Sequence, residues 1–323
     1  MNPFAPWLIR RDVLGSSPPG RVWFGDAWRI VLLAIVLFSL GGTRVGALTI
    51  ATYNVENYVL ADRMTASGYR QAYPKSEAQK RALRRVIRDL GADVLVLQEM
   101  GSQPFLDELQ RDLRTEGVDY PFTALAVADD TDRHVAVLSR RPLRKVTTHR
   151  DLSLAYFGAR EKVKRGMLEV TIDTAAGDVT LFAVHLKSRF TDRPDDPASA
   201  LRRAGEAMAI RDRILQRFPS PADARLIILG DCNDGPRSRP LAALQNRGRT
   251  SIAELLAAAD SRGETWTHAF RRDDSYSRAD YMLVSAGLKP QVRGGVARIY
   301  DGPGVKEASD HRPVFLVLIE PEK

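Results

Sequence analysis

Residues 225–236 read RLIILGDCNDGP. The run Leu226–Leu229 is short, apolar and rich in Ile, as expected of a strand buried on both faces. Gly230 ends it. Asp231, Asn233, Asp234, Gly235 and Pro236 are all turn formers, so this terminus on its own is an ordinary strand ending. The fold is decided by how many other strands stop in the same way.

Working outward, three do. LTIATYN (48–54) ends in Asn54, VLVLQE (94–99) in Glu99, and TLFAVH (180–185) in His185. Two further strands begin with polar residues. Asp280 opens DYMLVS (280–285), and Asp310-His311 stand just before RPVFLVLI (312–319). If the last two run antiparallel to the first four, all six positions meet at one edge. Six together exceed what turn chemistry demands.

The remaining pattern supplies the layers. SEAQKRALRRVIRDLG (76–91) is a helix, with Ser76 as cap, Gln79 completing a capping box and Gly91 as its stop. Ala78, Ala82, Val86 and Leu90 recur every four residues, beside Leu83 and Ile87. A second helix covers 198–218, with Ala204, Met208, Ile210 and Leu215 among its apolar positions. HVAVLS (134–139) and MLEVTI (167–172) are further strands, and TDRPDDP (191–197) is a polar loop. No repeat, low-complexity tract or linker marks a second folded domain. Strands outnumber helices and several have short connections, which favours mixed sheets over a pure βαβ wind.

The chain has 323 residues, 44% hydrophobic, which suffices for one sizeable core. The net charge of +8 is discounted, since 39 of the 48 basic residues are arginine, a bias genome composition can produce. Cys232 is the single cysteine, so no intrachain disulfide forms; it reads as a packed thiol. Arg29 precedes the apolar run Ile30–Leu40. Eleven helical residues span only about 16 Å, against roughly 30 Å of hydrocarbon. Residues 1–47 therefore read as a signal peptide, cut after Ala47 behind the small residues of Val45–Ala47, or else as an uncleaved membrane anchor. Arg10-Arg11 lie too far upstream to favour a twin-arginine signal. Either way the body, 48–323, is exported: periplasmic, secreted or membrane-anchored.

Glu99, Asp231, Asp280 and Asp310 are four carboxylates that would repel one another if crowded. A divalent cation relieves this. Oxygen donors without a Cys–His cluster favour a hard ion, Mg²⁺ foremost, with Mn²⁺ or Ca²⁺ as alternatives. Histidines beside carboxylates supply acid–base groups, and asparagines orient water or phosphate without adding charge. Together these suit phosphoryl chemistry.

The pieces NVEN, LQE, HLKSR, GDCNDGP, RADYMLVS and SDHRPV, in that order, resemble the endonuclease/exonuclease/phosphatase superfamily from Asn54 to Val314. The resemblance implies an α+β fold: a four-layer α/β/β/α sandwich of two mixed, mainly antiparallel sheets packed face to face. It also implies Mg²⁺-dependent cleavage of phosphate esters. Glu99 resembles the metal-binding glutamate, with Asn54 and Asp310 as its companions at the ion. Asp231 is similar to the residue that orients or deprotonates the attacking water, and Asn233 to the amide that holds a phosphate oxygen. His311 resembles the histidine on the scissile phosphate and Asp280 its orienting partner. His185 resembles the second histidine of the deoxyribonuclease-I-like and sphingomyelinase-like branches.

Arg165 and Arg278 are candidate substrate contacts. Lys187 and Arg189 line the groove or face solvent. His134 is expected to be structural, and His149 and His268 to be unrelated to catalysis, although TWTH (265–268) resembles a segment of the family that lies near the site. The first expectation for substrate is a nucleic acid cut by an exported nuclease. A lipid-headgroup or small phosphoester is the alternative, sphingomyelinase-like or inositol-phosphatase-like. A lipid enzyme would want an exposed aromatic hairpin, and the late loops THAFRRDDSYSR (267–278) and YDGPGVKEASDH (300–311) are mostly polar. A non-catalytic binder on the same scaffold would have shed a motif residue, and none is missing. No protein partner is implied.

Overall fold

Alternate residues of the central strands are buried on opposite faces. In Val94–Met100, Val94 and Val96 join one apolar cluster and Leu95 and Leu97 another; in Leu226–Asp231, Ile227 and Leu229 join the first, Leu226 and Ile228 a third. That is the period-2 signature of a strand covered on both sides. The computed structural model describes residues 46–191 and 193–321. It contains a seven-stranded sheet and a six-stranded sheet. The first cluster draws on both sheets and fills the space between them. The second packs the seven-stranded sheet against the helices Glu77–Leu90 and Gln103–Thr115. The third packs the six-stranded sheet against Ala200–Arg217 and Arg239–Gln245. This is the four-layer α/β/β/α sandwich the motifs imply.

Strand direction meets the condition set by the sequence. His185 pairs with Asp231 in a parallel ladder, and Asp231 with Asp280 in an antiparallel one. The three therefore form one row across the six-stranded sheet. In the other sheet, Gly46–Tyr58 runs parallel to Val94–Met100 and antiparallel to Val314–Glu320.

Gly230, in the adjacent row between Val184 and Tyr281, tolerates no side chain. Its φ is +142°, and a Cβ there would meet the Val184 carbonyl oxygen at 1.9 Å. Backbone cannot yield as a flexible side chain does. Gly230→Ala is expected to destabilise the protein by about 3 kcal/mol or more. Chemical denaturation checks this, and a midpoint unchanged from the parent would contradict it.

The first helix forms as read, with the reciprocal Ser76–Gln79 box and Gly91 in the left-handed region at φ +62°. Three features differ from the sequence reading. Met208 is 39% exposed, because the buried face of its helix runs through Ala207, Ile210 and Ile214. Hairpins at Ala61–Thr65/Gly68–Tyr73 and Ser153–Tyr156/Ala159–Lys162 were not legible. The first of them exposes Met64, Tyr69 and Tyr73, an aromatic hairpin absent from the sequence reading. The signal or anchor expected over 1–47 lies outside the described residues, save Gly46 and Ala47, which pair with Glu320 and Ile319. Among the described residues no helix is long and apolar enough to cross a membrane.

Candidate active site

The six strand ends meet. Asn54 leaves the seven-stranded sheet at an irregularity in its ladder, where Glu56 and Asn57 take positive φ. Its Nδ2 donates to Glu99 Oε1 at 3.2 Å and to Asp231 Oδ2 at 3.0 Å, so one amide joins the two sheets. Glu99 has φ +61°. A non-glycine residue there costs on the order of 1–3 kcal/mol and persists only where surroundings hold it. Here the Asn57 N–H donates to Glu99 Oε2 at 2.9 Å.

Asp231 is buried at the centre. It accepts from the Asn233 backbone N–H at 2.8 Å and from Asn233 Nδ2 at 3.1 Å. His185 Nε2 lies 3.6 Å and His311 Nε2 3.9 Å from its Oδ2. Burial pushes the Asp231 carboxyl up to about 7; Asp280 adds to this and His311 opposes it. Asp280 holds His311 from behind, its Oδ2 2.8 Å from Nδ1. Burial alone would lower His311, but Asp280, Asp231 and Asp310 together raise it well above its ordinary value. His185 goes the other way, lowered by burial and by the Arg165 charge. One imidazole is thus held cationic and the other neutral, 3.6–3.9 Å from one carboxylate.

Asp310 sits beside this pair. Burial would raise its carboxyl, but His268, His311 and Arg271 bring it down to about 2. Ser309 Oγ donates to the Asn54 carbonyl at 2.8 Å, which ties the SDH segment to the strand that bears Asn54. Thr267 Oγ1 accepts from the Ala279 and Asp280 N–H groups at 2.9 and 3.0 Å and fixes the start of Asp280–Val284.

The carboxylates of Glu99, Asp231 and Asp310 line the floor of one cleft, while Asn54 turns its Nδ2 to Glu99 and Asp231 and its Oδ1 to the Glu56 N–H. That donor set fits a hard divalent cation.

His268, expected to be unrelated to catalysis although TWTH resembles a family segment near the site, lies at the site. Its ring stacks on His311 with centroids 4.5 Å apart, and its Nε2 is 3.7 Å from Asp310 Oδ2. It reaches there through a single bridge, His268 to His311, between a three-residue strand and the SDH turn. Glu56 is a second residue the reading passed over: it faces Arg271 at 3.8 Å and buried Lys75 at 3.5 Å. Its place two residues after Asn54 was the available signal.

Arg278 is not at the site's mouth. Its guanidinium donates to the Leu256 carbonyl at 3.0 Å and lies over the Tyr281 ring, so it supports structure. Arg165 is buried against Asp130 at 3.0 Å and donates to the Leu186 carbonyl at 3.2 Å, one residue from His185. Lys187 folds back onto its own loop. Arg189 lines the cleft. His134 bonds the Ala126 carbonyl, and His149 joins Glu169 and Arg213 on the far face of the sheet.

Two reactive loops are clamped by the helix Ala200–Arg217. Arg203 donates to Asp234 Oδ2 at 3.0 Å and to the Lys187 carbonyl at 3.2 Å, while Glu206 accepts the Lys187 N–H at 2.8 Å. The residues after His185 and after Asp231 are thereby held together.

Comparison with known proteins agrees with this geometry. A family model described as Endonuclease/Exonuclease/phosphatase family matches residues 51–311. No curated protein matches the chain. Among solved structures, sphingomyelinase C from Streptomyces griseocarneus is 18% identical with a TM-score of 0.57, covering 85% of this chain and 100% of that one. A substituted beta toxin from Staphylococcus aureus with bound magnesium ions is 16% identical, TM-score 0.59, covering 84% and 99%. The human Nocturnin catalytic domain with bound sulfate is 15% identical, TM-score 0.56, covering 84% and 93%. At these identities the structures share the fold.

Proposed function

The chain belongs to the Endonuclease/Exonuclease/phosphatase family of divalent-metal-dependent hydrolases of phosphodiester bonds, and from that premise we propose that it is an exported, Mg²⁺-dependent nuclease. The observation that carries the catalytic reading is the convergence of Asp231, Asn233, His185, Asp280-His311 and Glu99 on one pocket. Support for a nucleic acid comes from the cleft above them, lined by Arg189 and by hydroxyl-bearing Ser188, Ser275 and Ser277. Export is supported by the apolar run after Arg29.

Glu99 and Asp310 would hold the ion, with Asn54 as their companion through water, its Nδ2 bonded to Glu99 and Asp231 and its Oδ1 to the Glu56 N–H. When bound, it would supply Lewis-acid stabilisation of charge on the phosphate and the leaving oxygen. Asp231 orients the attacking water and takes its proton at Oδ2, the oxygen that faces both imidazoles. Asn233 Nδ2 donates to the Leu186 carbonyl at 3.0 Å and to Asp231 Oδ2 at 3.1 Å, and would hold a non-bridging oxygen by exchanging one of these bonds for the phosphate. The His311 imidazolium, kept charged by Asp280, neutralises the phosphate in the transition state or gives a proton to the leaving oxygen, with neutral His185 beside it. Atoms balance as hydrolysis: water adds across one P–O bond.

A second reading, a lipid-headgroup or small phosphoester hydrolase, is favoured by one observation, the hairpin that exposes Met64, Tyr69 and Tyr73. Plasmid DNA, RNA, sphingomyelin and inositol phosphates, each incubated with Mg²⁺ and with excess EDTA, separate the two. Cleavage of DNA or RNA that EDTA stops and added Mg²⁺ restores is the expected result. Hydrolysis of sphingomyelin or inositol phosphates alone would transfer the assignment to the second reading.

A further inference from the structure

The cleft over the reactive residues has a volume of about 720 Å³ and two unlike walls. One wall is the hairpin His268–Phe270/Ser275–Ser277. His268 pairs with Ser277 and Phe270 with Ser275, and all four line the cleft, together with Tyr276. The other wall is the loop after His185, which ends in Arg189 and Phe190. Phe190 is 80% exposed and Phe270 44% exposed. Neither ring belongs to a core cluster. The floor is Glu99, Asp231, Asn233, Asp310 and His311. Phe190 and Phe270 thus stand at the rim of a pocket whose base is built for a phosphate, and the third aromatic of the lining, Tyr276, packs its ring on Trp266.

We propose that Phe190 and Phe270 form a base-stacking subsite that receives the unpaired base adjoining the scissile phosphate, making the enzyme selective for single-stranded nucleic acid. The inference rests on the nuclease reading and refines it. Base and phosphate are separated by one sugar, so a ring lining the same cleft as the phosphate site is within reach of a nucleobase. Stacking accepts any base because each has a π-face. A base inside a duplex is already stacked on both sides and is not free to enter. The charge of the hairpin tip, Arg271, Arg272, Asp273 and Asp274, opposes the lipid alternative, because these residues would have to enter a bilayer ahead of Phe270. Arg189, on the same loop as Phe190, places a cation beside the strand backbone.

The test uses the full chain with Mg²⁺ and two matched sets of oligonucleotides, DNA and RNA. In each set one strand is natural and the other carries the same backbone with its bases removed. The reading is the ratio of KM for the abasic strand to KM for the natural one. In the parent this ratio is expected to be about tenfold or more. In Phe190→Ala/Phe270→Ala it falls toward one, and in Phe190→Tyr/Phe270→Tyr, which keeps both rings, it returns. Both rings are exposed, so the substitutions spare the core. A ratio near one in the parent, or a high ratio that survives the double alanine substitution, overturns the subsite while leaving the nuclease reading intact. Failure to cleave any of the strands overturns both. Hydrolysis of sphingomyelin that falls with the alanine pair would assign the rings to lipid instead.

Discussion

Asp231→Asn is expected to lower kcat by roughly 100- to 10 000-fold, the range for loss of a positioned general base, while the protein stays folded. The basis is the position of this carboxylate. It is buried where both sheets meet, its Oδ2 faces His185 and His311, and burial has pushed it up to about 7. A carboxylate with that affinity for a proton is suited to accept one near neutral pH. Asparagine keeps the size and one acceptor oxygen but cannot take the proton. Steady-state hydrolysis, with circular dichroism to verify the fold, makes the measurement. Retention of more than about a tenth of parental turnover would remove Asp231 from its role.

The second large effect concerns a pair. His311→Ala is expected to reduce kcat by a factor within the same range. Asp280→Asn costs less alone and, in the His311→Ala background, adds almost nothing, because Asp280 acts only through the 2.8 Å contact with Nδ1. The pH profile supplies a readout that a purely structural role would not move. His311 is raised above its ordinary value, so its imidazolium persists to higher pH than a free histidine's. Removing the Asp280 charge lowers the folded pKa, so the imidazolium is lost sooner as pH rises. The alkaline limb of kcat should therefore move to lower pH in Asp280→Asn. Additive losses in the double variant, or an unmoved limb, would show that the two residues act separately.

How much of this was legible depends on the kind of segment. His185, Asp231 and Asp280 could be read because each ends or begins a strand buried on both faces, where an apolar run stops abruptly at a charge. Register then places them in one row. Mixed sheets with helices beside them could be read from the short strand connections, whereas the four layers followed from the resemblance of the motifs to a known family. His268 could not. It lies on a three-residue strand after an irregular stretch, and it reaches Asp310 and His311 through one bridge rather than a ladder. The hairpin at 61–73 was hidden for the opposite reason. It packs on no core, so it lacks the alternation that marks a half-buried strand. Arg278 shows the limit of motif position. Neighbouring Asp280 in sequence brings it near the site, but its guanidinium bonds the Leu256 carbonyl and lies over the Tyr281 ring.

Underlying all of this is the gathering of separate strand ends into one cation-dependent centre. Calorimetric titration of Mn²⁺ into metal-free protein tests it most directly, on the parent and on Glu99→Gln, which removes one negative oxygen while keeping the side chain's shape. Saturable binding in the parent, weakened at least about tenfold in the variant, is the predicted result. Equal binding by both proteins, or none by the parent, would contradict it.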